Sequence, residues 1–160
     1  MRTYFHEEQR FGWWVWALIA VIAVPVLFGV IGTLARGANA VIAIIVGPGT
    51  VVLVLLLLVL AKLVVDVDER AIHVSFHYLW PTRNIPLDDV QRAHATEYSP
   101  LLDYGGWGVR LSWKGWAYNV GGAEGVLVET KGGKRIMVGS RRAKELESAI
   151  ARAIAEHAGR

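Results

Sequence analysis

The chain has no cysteine among its 160 residues. That absence removes disulfides, thiolate metal sites and cysteine nucleophiles from consideration. Charge is missing just as completely from two long stretches. Trp13 to Ala35 contains no Asp, Glu, Lys, Arg or His, and neither does Gly37 to Ala61. Ion and proton pathways through a membrane use ionisable groups at depth, so a transporter or pump acting alone is not expected. A strong net charge is lacking too. The formal +3 at pH 7 is too diffuse to point to nucleic acid, although a mild basic bias favours anionic headgroups.

What the chain does have is apolar surface. Hydrophobic residues make up 54%, and the excess lies in the first 62 residues. A helix needs about 20 apolar residues to cross the hydrocarbon core. Both uncharged stretches meet that length, and neither carries the polar stripe of a soluble helix. The expected architecture is a membrane hairpin over 13–61, with spans at about 13–35 and 39–61 joined by a turn at "ARGAN". The "ANA" at 38–40 resembles a signal-peptidase site. A signal h-region is only about 7–15 residues, however, and Glu7 and Glu8 sit where it would be basic. Pro25 and the "GPG" at 47–49 predict a kink or loosening in each helix. The small residues Ala20, Ala23, Gly29, Gly32, Ala40, Ala43 and Gly47 either let the two backbones approach or are ordinary membrane-helix Gly and Ala.

Arg2, Arg10, Lys62 and Arg70 flank the two stretches, against Arg36 alone in the turn. The positive-inside rule then puts both termini and the soluble part in the cytoplasm. Residues 1–12 are expected to be a cytoplasmic or interfacial tail. Trp13, Trp14 and Trp16 in "WWVW", with Lys62, are expected at the membrane interface.

From Leu63 the pattern alternates. "LVVDV", "AIHVSFHYL", "VQRAHATEY", "WGVRLSW", "WAYNV", "GVLVET" and "KRIMV" are expected strands, separated by Gly, Pro, Asn or Asp. A helix is expected over about 141–158, with Ser140 as N-cap, Gly159 past its end, and Ala143, Leu146, Ile150, Ala153, Ile154 and His157 on one face. Strands followed by one amphipathic helix make 62–160 an α+β domain, a β-barrel or sandwich closed by its C-terminal helix.

The stretch "DYGGWGVRLSWKGWAYNVGGAEG" is not a phosphate-cradling loop, since alternation follows "GGWG" where a helix would have to begin. A two-residue turn at Lys114–Gly115 would set Trp113 against Trp116, Leu111 against Tyr118 and Val109 against Val120. Gly105, Gly106, Gly121 and Gly122 are expected bulges or bends. A second hairpin with a loop at Lys131–Gly133 would pair Glu129 with Arg135 and Val128 with Ile136.

The run "YSPLLDYGGWGVR…KGWAYNVGGAEGVLVET…KRIMVGS…ELESAI" resembles a family of small bacterial membrane proteins of unknown function. These join a two-helix membrane hairpin to a bacterial pleckstrin-homology-like (PH-like) domain, and the likeness covers about the last hundred residues. The resemblance implies a barrel of about seven antiparallel strands capped by a C-terminal helix, and brings no activity. Eukaryotic pleckstrin-homology domains that bind phosphoinositides use basic residues between their first two strands. Here that loop is expected at "DVDER", Asp66 to Arg70, with three acids and one base, which disfavours such binding there.

His73 and His77 share a strand side, but about 13 Å of strand separates them, too far for one metal ion. His6, His94 and His157 have no companion at ligand spacing, and Asp88 with Asp89 belongs to a turn. No Ser, His and acid fit a hydrolase signature, so neither catalytic residue, metal nor cofactor is expected. Asp103, Tyr104 and Arg110 form either a recognition patch or local structural bonds. Lys131, Lys134, Arg135, Arg141, Arg142 and Lys144 cluster near the last hairpin and helix start. Cations at a helix N-terminus oppose its dipole at about 0.3–1 kcal/mol each, which points to an anionic partner, lipid headgroup or acidic protein, unless the charges are simply solvated. The expected function is a non-catalytic, membrane-anchored interaction or scaffold protein. It would be an accessory subunit of a larger respiratory, photosynthetic or transport complex, or a homo-oligomer. The alternative is an anionic-lipid-binding or membrane-sensing module.

Overall fold

A computed structural model describes residues 2–12, 14–37, 39, 41–42 and 45–159. The chain is α+β and divides into two units: Met1–Arg10 with Lys62–Arg160, and Phe11–Ala61.

The first unit holds nine strands in two sheets. One sheet has the order β1–β2–β3–β4, formed by Thr3–Arg10, Lys62–Asp68, Ala71–His77 and Trp80–Pro86. The other has the order β5–β8–β9–β7–β6, formed by Val90–Glu97, Glu124–Thr130, Arg135–Gly139, Gly115–Asn119 and Gly108–Ser112. All seven strands expected from alternation are present. β1 and β4 are additional, so the seven-strand count is corrected to nine.

Both additions are edge strands that polar or proline residues disguise. β1 reads "TYFHEEQR", and its inward positions are Phe5, Glu7 and Gln9, two of them polar. β4 reads "WPTRNIP", with a proline at the second and last positions, which an edge strand tolerates. The expected tail at 1–12 is therefore replaced over Thr3–Arg10 by a strand of the sheet. Because β1 precedes β2, "DVDER" joins the second and third strands, and residues 11–61 are the connection between the first and second.

β9 is central and covered on both faces. Its neighbour β7 runs parallel to it, so the sheet is mixed. The expected register of the β6–β7 hairpin slides by two residues: Leu111 faces Trp116 and Val109 faces Tyr118, with Trp113 and Lys114 in the turn. A slide of two keeps each side chain on its own face. Gly115 takes φ +113°, and a Cβ there would lie 2.2 Å from the Arg135 carbonyl oxygen. This glycine belongs beside β9 rather than in the turn. The second hairpin has the expected register, with Glu129 opposite Arg135 and Val128 opposite Ile136.

The helix α1 spans Trp14–Ala35, α2 spans Thr50–Leu60, α3 is the short Pro100–Tyr104, and α4 is Ala143–Ala158. α4 lays Ala143, Leu146, Ala149, Ile150 and Ala153 against β5 and β8 of one sheet and β1 and β2 of the other. Each fully buried Leu or Ile of this kind contributes about 1.5–3 kcal/mol. α3, which the sequence reading missed, starts at Ser99, whose Oγ accepts the Leu102 N–H. It covers a smaller cluster of Tyr98, Tyr104, Ala117 and Met137. Gly105 ends α3 in the left-handed region and is a helix cap rather than a bulge.

In the second unit, Val15–Ala35 is long and apolar enough to cross a membrane, with mean hydropathy 2.6. Pro25 lies inside α1 without ending it. The returning segment begins with Asn39 Oδ1 accepting the Val41 and Ile42 N–H groups. The loosening expected at "GPG" takes the form of a π-helical turn at Ile45–Gly49 leading into α2. Ile45–Leu60 is a shorter apolar helix. Ala40, Ala43 and Ile44 of the expected second span lie outside the described residues. Of the small residues, Gly47 lies against side chains of α1: a Cβ there would sit 2.7 Å from Val30 Cγ2. Gly29 and Gly32 have nothing within 4 Å and make no such contact.

Candidate functional site

The expected basic cluster separates into two places. Lys134 and Arg135, on the β8–β9 hairpin, join Trp113, Lys114 and Trp116 around a shallow hollow of about 220 Å³. Arg142 and Lys144, at the start of α4, face β1. Lys131 and Arg141 belong to neither. The Lys131 N–H donates to the Asp89 carbonyl, and the Arg141 N–H donates to Glu7 Oε1.

At the first place the charges are largely paired. Arg135 Nε lies 3.1 Å from Glu129 Oε1. Lys114 Nζ donates to Asp103 Oδ1 at 2.5 Å and lies 5.0 Å from the centre of the Trp113 ring. The Lys114 bond and the Ser99 N–H hold the Asp103 carboxyl below its usual value. Asp103 is thus committed to Lys114. Tyr104 is buried, edge-on to Tyr98 at 5.8 Å, and Arg110 turns back to donate from Nε to the Trp107 carbonyl. Each of the three is engaged with a different neighbour, Asp103 with Lys114, Tyr104 with Tyr98 and Arg110 with Trp107. Burial pushes the Tyr98 hydroxyl up to about 12, so it stays protonated at neutral pH.

The second place is a cleft between β1 and α4, about 410 Å³, whose lining includes Tyr4, His6, Arg142, Lys144, Ser148 and Arg152. Arg152, one turn beyond Ser148, is a cation that the sequence grouping left out. Arg142 donates to the His6 carbonyl, stacks 4.7 Å from the Phe5 ring centre, and pairs with Glu145 at 3.3 Å. Below the cleft is a buried polar group. Ser140 Oγ donates to Glu7 Oε2 at 2.6 Å and accepts the Arg142 N–H, while Gln9 Nε2 donates to the Gly139 carbonyl. Ser140 is therefore turned inward and is not the N-cap; Arg142 holds that position without a side-chain cap.

His73, His77 and His157 are each engaged separately. His73 Nε2 meets Asp68 Oδ2 at 3.0 Å and Nδ1 meets Asn84 Oδ1 at 2.8 Å. Burial opposes the charged imidazole, but those bonds outweigh it and raise His73 above the usual histidine value. Burial likewise opposes the Asp68 carboxylate, and the Arg70 and Ala71 N–H groups with His73 bring it below the usual value. His157 bridges to Asp88 at 2.9 Å and His77 meets Ser75. Among the described residues no three His, Asp or Glu side chains converge as metal ligands would.

Of the expected interface residues, Trp13 and the Trp14 side chain lie outside the described residues. Trp16 is exposed, and Lys62 Nζ donates to Glu8 Oε1 at 2.7 Å. No protein-family model matches the chain, and a comparison with curated proteins finds no match either.

Proposed function

We propose that this chain is a non-catalytic, membrane-anchored interaction module, a subunit of a larger membrane complex or a homo-oligomer, with its two-sheet unit on the cytoplasmic face. One observation carries the reading: β1 and β2 pair along their length, Arg10 opposite Lys62, with residues 11–61 between them. A segment that leaves and rejoins a sheet at adjacent residues crosses a bilayer an even number of times. In this reading α1, which is long enough, crosses, and the returning segment crosses back.

The domain reading is PH-like. Setting aside the β6–β7 hairpin leaves β1–β4, then β5, β8 and β9, seven antiparallel strands followed by a helix. That order supports the resemblance carried by the sequence.

Single cysteines in this cysteine-free chain test the anchoring. A membrane-impermeant maleimide added to intact cells is expected to label Arg36→Cys and to reach Arg70→Cys only after the membrane is opened. Labelling of both from the same side would overturn the two-span reading. Mild-detergent purification tests the subunit reading, and recovery as a free monomer with nothing bound would remove it.

The cleft beside α4 favours a second reading, an anionic-lipid site. Three cations, Arg142, Lys144 and Arg152, line it with Ser148 and Tyr4 against one acid, Glu145. Binding of anionic lipid to the detergent-solubilised chain would weaken with salt and with Arg152→Gln. Salt-independent binding would exclude the cleft.

A further inference from the structure

The first sheet has two ends, and they differ in chemistry. At one end Arg10 faces Lys62 and Lys62 faces His77, so the ends of β1, β2 and β3 lie side by side. The chain departs toward residue 11 and returns from residue 61 at this end. Here too lies the β3–β4 turn, Tyr78 and Leu79, followed by Trp80 at the start of β4. The opposite end carries the β2–β3 turn, Glu69 and Arg70, both charged.

Three consecutive large apolar residues are exposed at the first end: Tyr78 at 71%, Leu79 at 40% and Trp80 at 49%. The turn is closed by the Leu79 N–H donating to the Phe76 carbonyl, and Phe76 faces Trp80 across the strands. Tyr78 has φ +66°, making it the only non-glycine among the described residues with positive φ. Glycine or asparagine is the usual occupant of such a position. An aromatic ring is instead held outward there, in a conformation that opposes it. Trp80 is braced from below by Trp116, 6.4 Å between ring centres, and Arg83 lies 5.7 Å over Trp116.

Tyrosine and tryptophan have an apolar body and a polar edge, and they concentrate where headgroups meet acyl chains. We infer that the Tyr78–Leu79–Trp80 turn seats in the headgroup–acyl boundary of the bilayer, as a second membrane contact beside the chain's own entry points. The inference rests on the anchored reading above. Strand register fixes this turn at the end of the sheet where the apolar segment departs, and a departure point for a spanning segment is at the membrane surface. Continuity with that surface, rather than exposure alone, identifies the occupant as lipid. The contact fixes rotation: a sheet tethered only at Arg10 and Lys62 pivots, and a third point two strands away stops it.

The test uses the full chain in lipid nanodiscs, with an environment-sensitive fluorophore on one introduced cysteine at a time. Leu27→Cys probes the apolar helix, Leu79→Cys the turn, and Arg70→Cys the far end of the sheet. Nitroxides are placed either on the headgroup or midway down the acyl chain. The inference expects Leu27→Cys to lose its emission to the mid-chain nitroxide. Leu79→Cys should lose most of its emission to the headgroup nitroxide, and Arg70→Cys should lose none. If Leu27→Cys is quenched while Leu79→Cys behaves like Arg70→Cys, the turn contact is wrong and the anchor stands. If Leu27→Cys is not quenched, the anchored reading fails and takes the turn contact with it.

Discussion

Ser140 Oγ donates to Glu7 Oε2 at 2.6 Å, joining positions 133 residues apart. Both side chains are buried, and with Gln9 they fasten an edge strand to the start of α4. Ser140→Ala leaves the Glu7 carboxyl short of a donor and is expected to lower stability by about 1–3 kcal/mol. Denaturant unfolding of the solubilised chain checks this. A double variant with Glu7→Leu should cost less than the two single changes added together.

Gly139 leaves no room for a methyl group: a Cβ would lie 2.9 Å from Asn119 Cβ and 3.0 Å from the Tyr98 hydroxyl. Gly139→Ala is expected to destabilise by about 1–3 kcal/mol through overpacking. Gly132 meets nothing closer than 3.8 Å, so Gly132→Ala should stay within about 0.5 kcal/mol. Thermal unfolding of the pair separates crowding from any general effect of adding a methyl.

The Asp68–His73–Asn84 chain sets a pH window. His73 is raised in the fold, so its contribution is fully present below the ordinary histidine value of 6.5 and is lost as pH rises through the folded value. Asp68 is lowered, so its contribution is present above 3.8 and is lost as pH falls through the folded value. Stability is expected to plateau between those two limits and fall on both sides. Imidazole NMR should give His73 a midpoint above 6.5, and Asn84→Ala should lower it. A wild-type midpoint below 6.5 would refute the assignment.

Tyr78 sits at φ +66° with its side chain largely exposed on the chain's surface. Relief of the left-handed strain, about 1–2 kcal/mol, exceeds the entropy loss of a glycine, about 0.5–1 kcal/mol. Tyr78→Gly is therefore expected to be neutral to stabilising by up to about 1 kcal/mol in unfolding measurements, and Tyr78→Ala to show no gain.

Arg10 and Lys62 face each other at adjoining strand ends. Joining residues 1–10 to 62–160 through a turn of about two to five residues is expected to give a folded, water-soluble unit. Residues 62–160 alone lack Phe5, Glu7 and Gln9 and should be markedly less stable. Circular dichroism and gel filtration of both chains check this, and equal stability would mean that β1 is dispensable.

The sequence disclosed most where side-chain period and burial agree. β3, β8 and α4 alternate or repeat most cleanly, and the Glu129–Arg135 pairing followed from a three-residue loop. It failed where a buried face is polar or a strand is rich in proline. Glu7 and Gln9 look solvent-facing until Ser140 and Gly139 arrive from the other end of the chain, and Pro81 and Pro86 argue against a strand that survives because it is an edge. The basic cluster was legible as composition but not as place. Strand direction sends Lys134 and Arg135 to one hollow and Arg142 to another. Arg152, distant in sequence, joins the second through helical spacing.

β1 leaves the ribosome before every residue of the 11–61 excursion, and its partner β2 leaves after it. The first strand therefore waits, with both edges bare, while the apolar helices are made. Were the helices to pack at Gly47 before the sheet zips, much of the closure entropy of that long excursion would already be spent when β1 meets β2. A nascent chain in which β2 fails to reach β1 leaves that first strand frayed and open to proteases, as a visible sign of the failure.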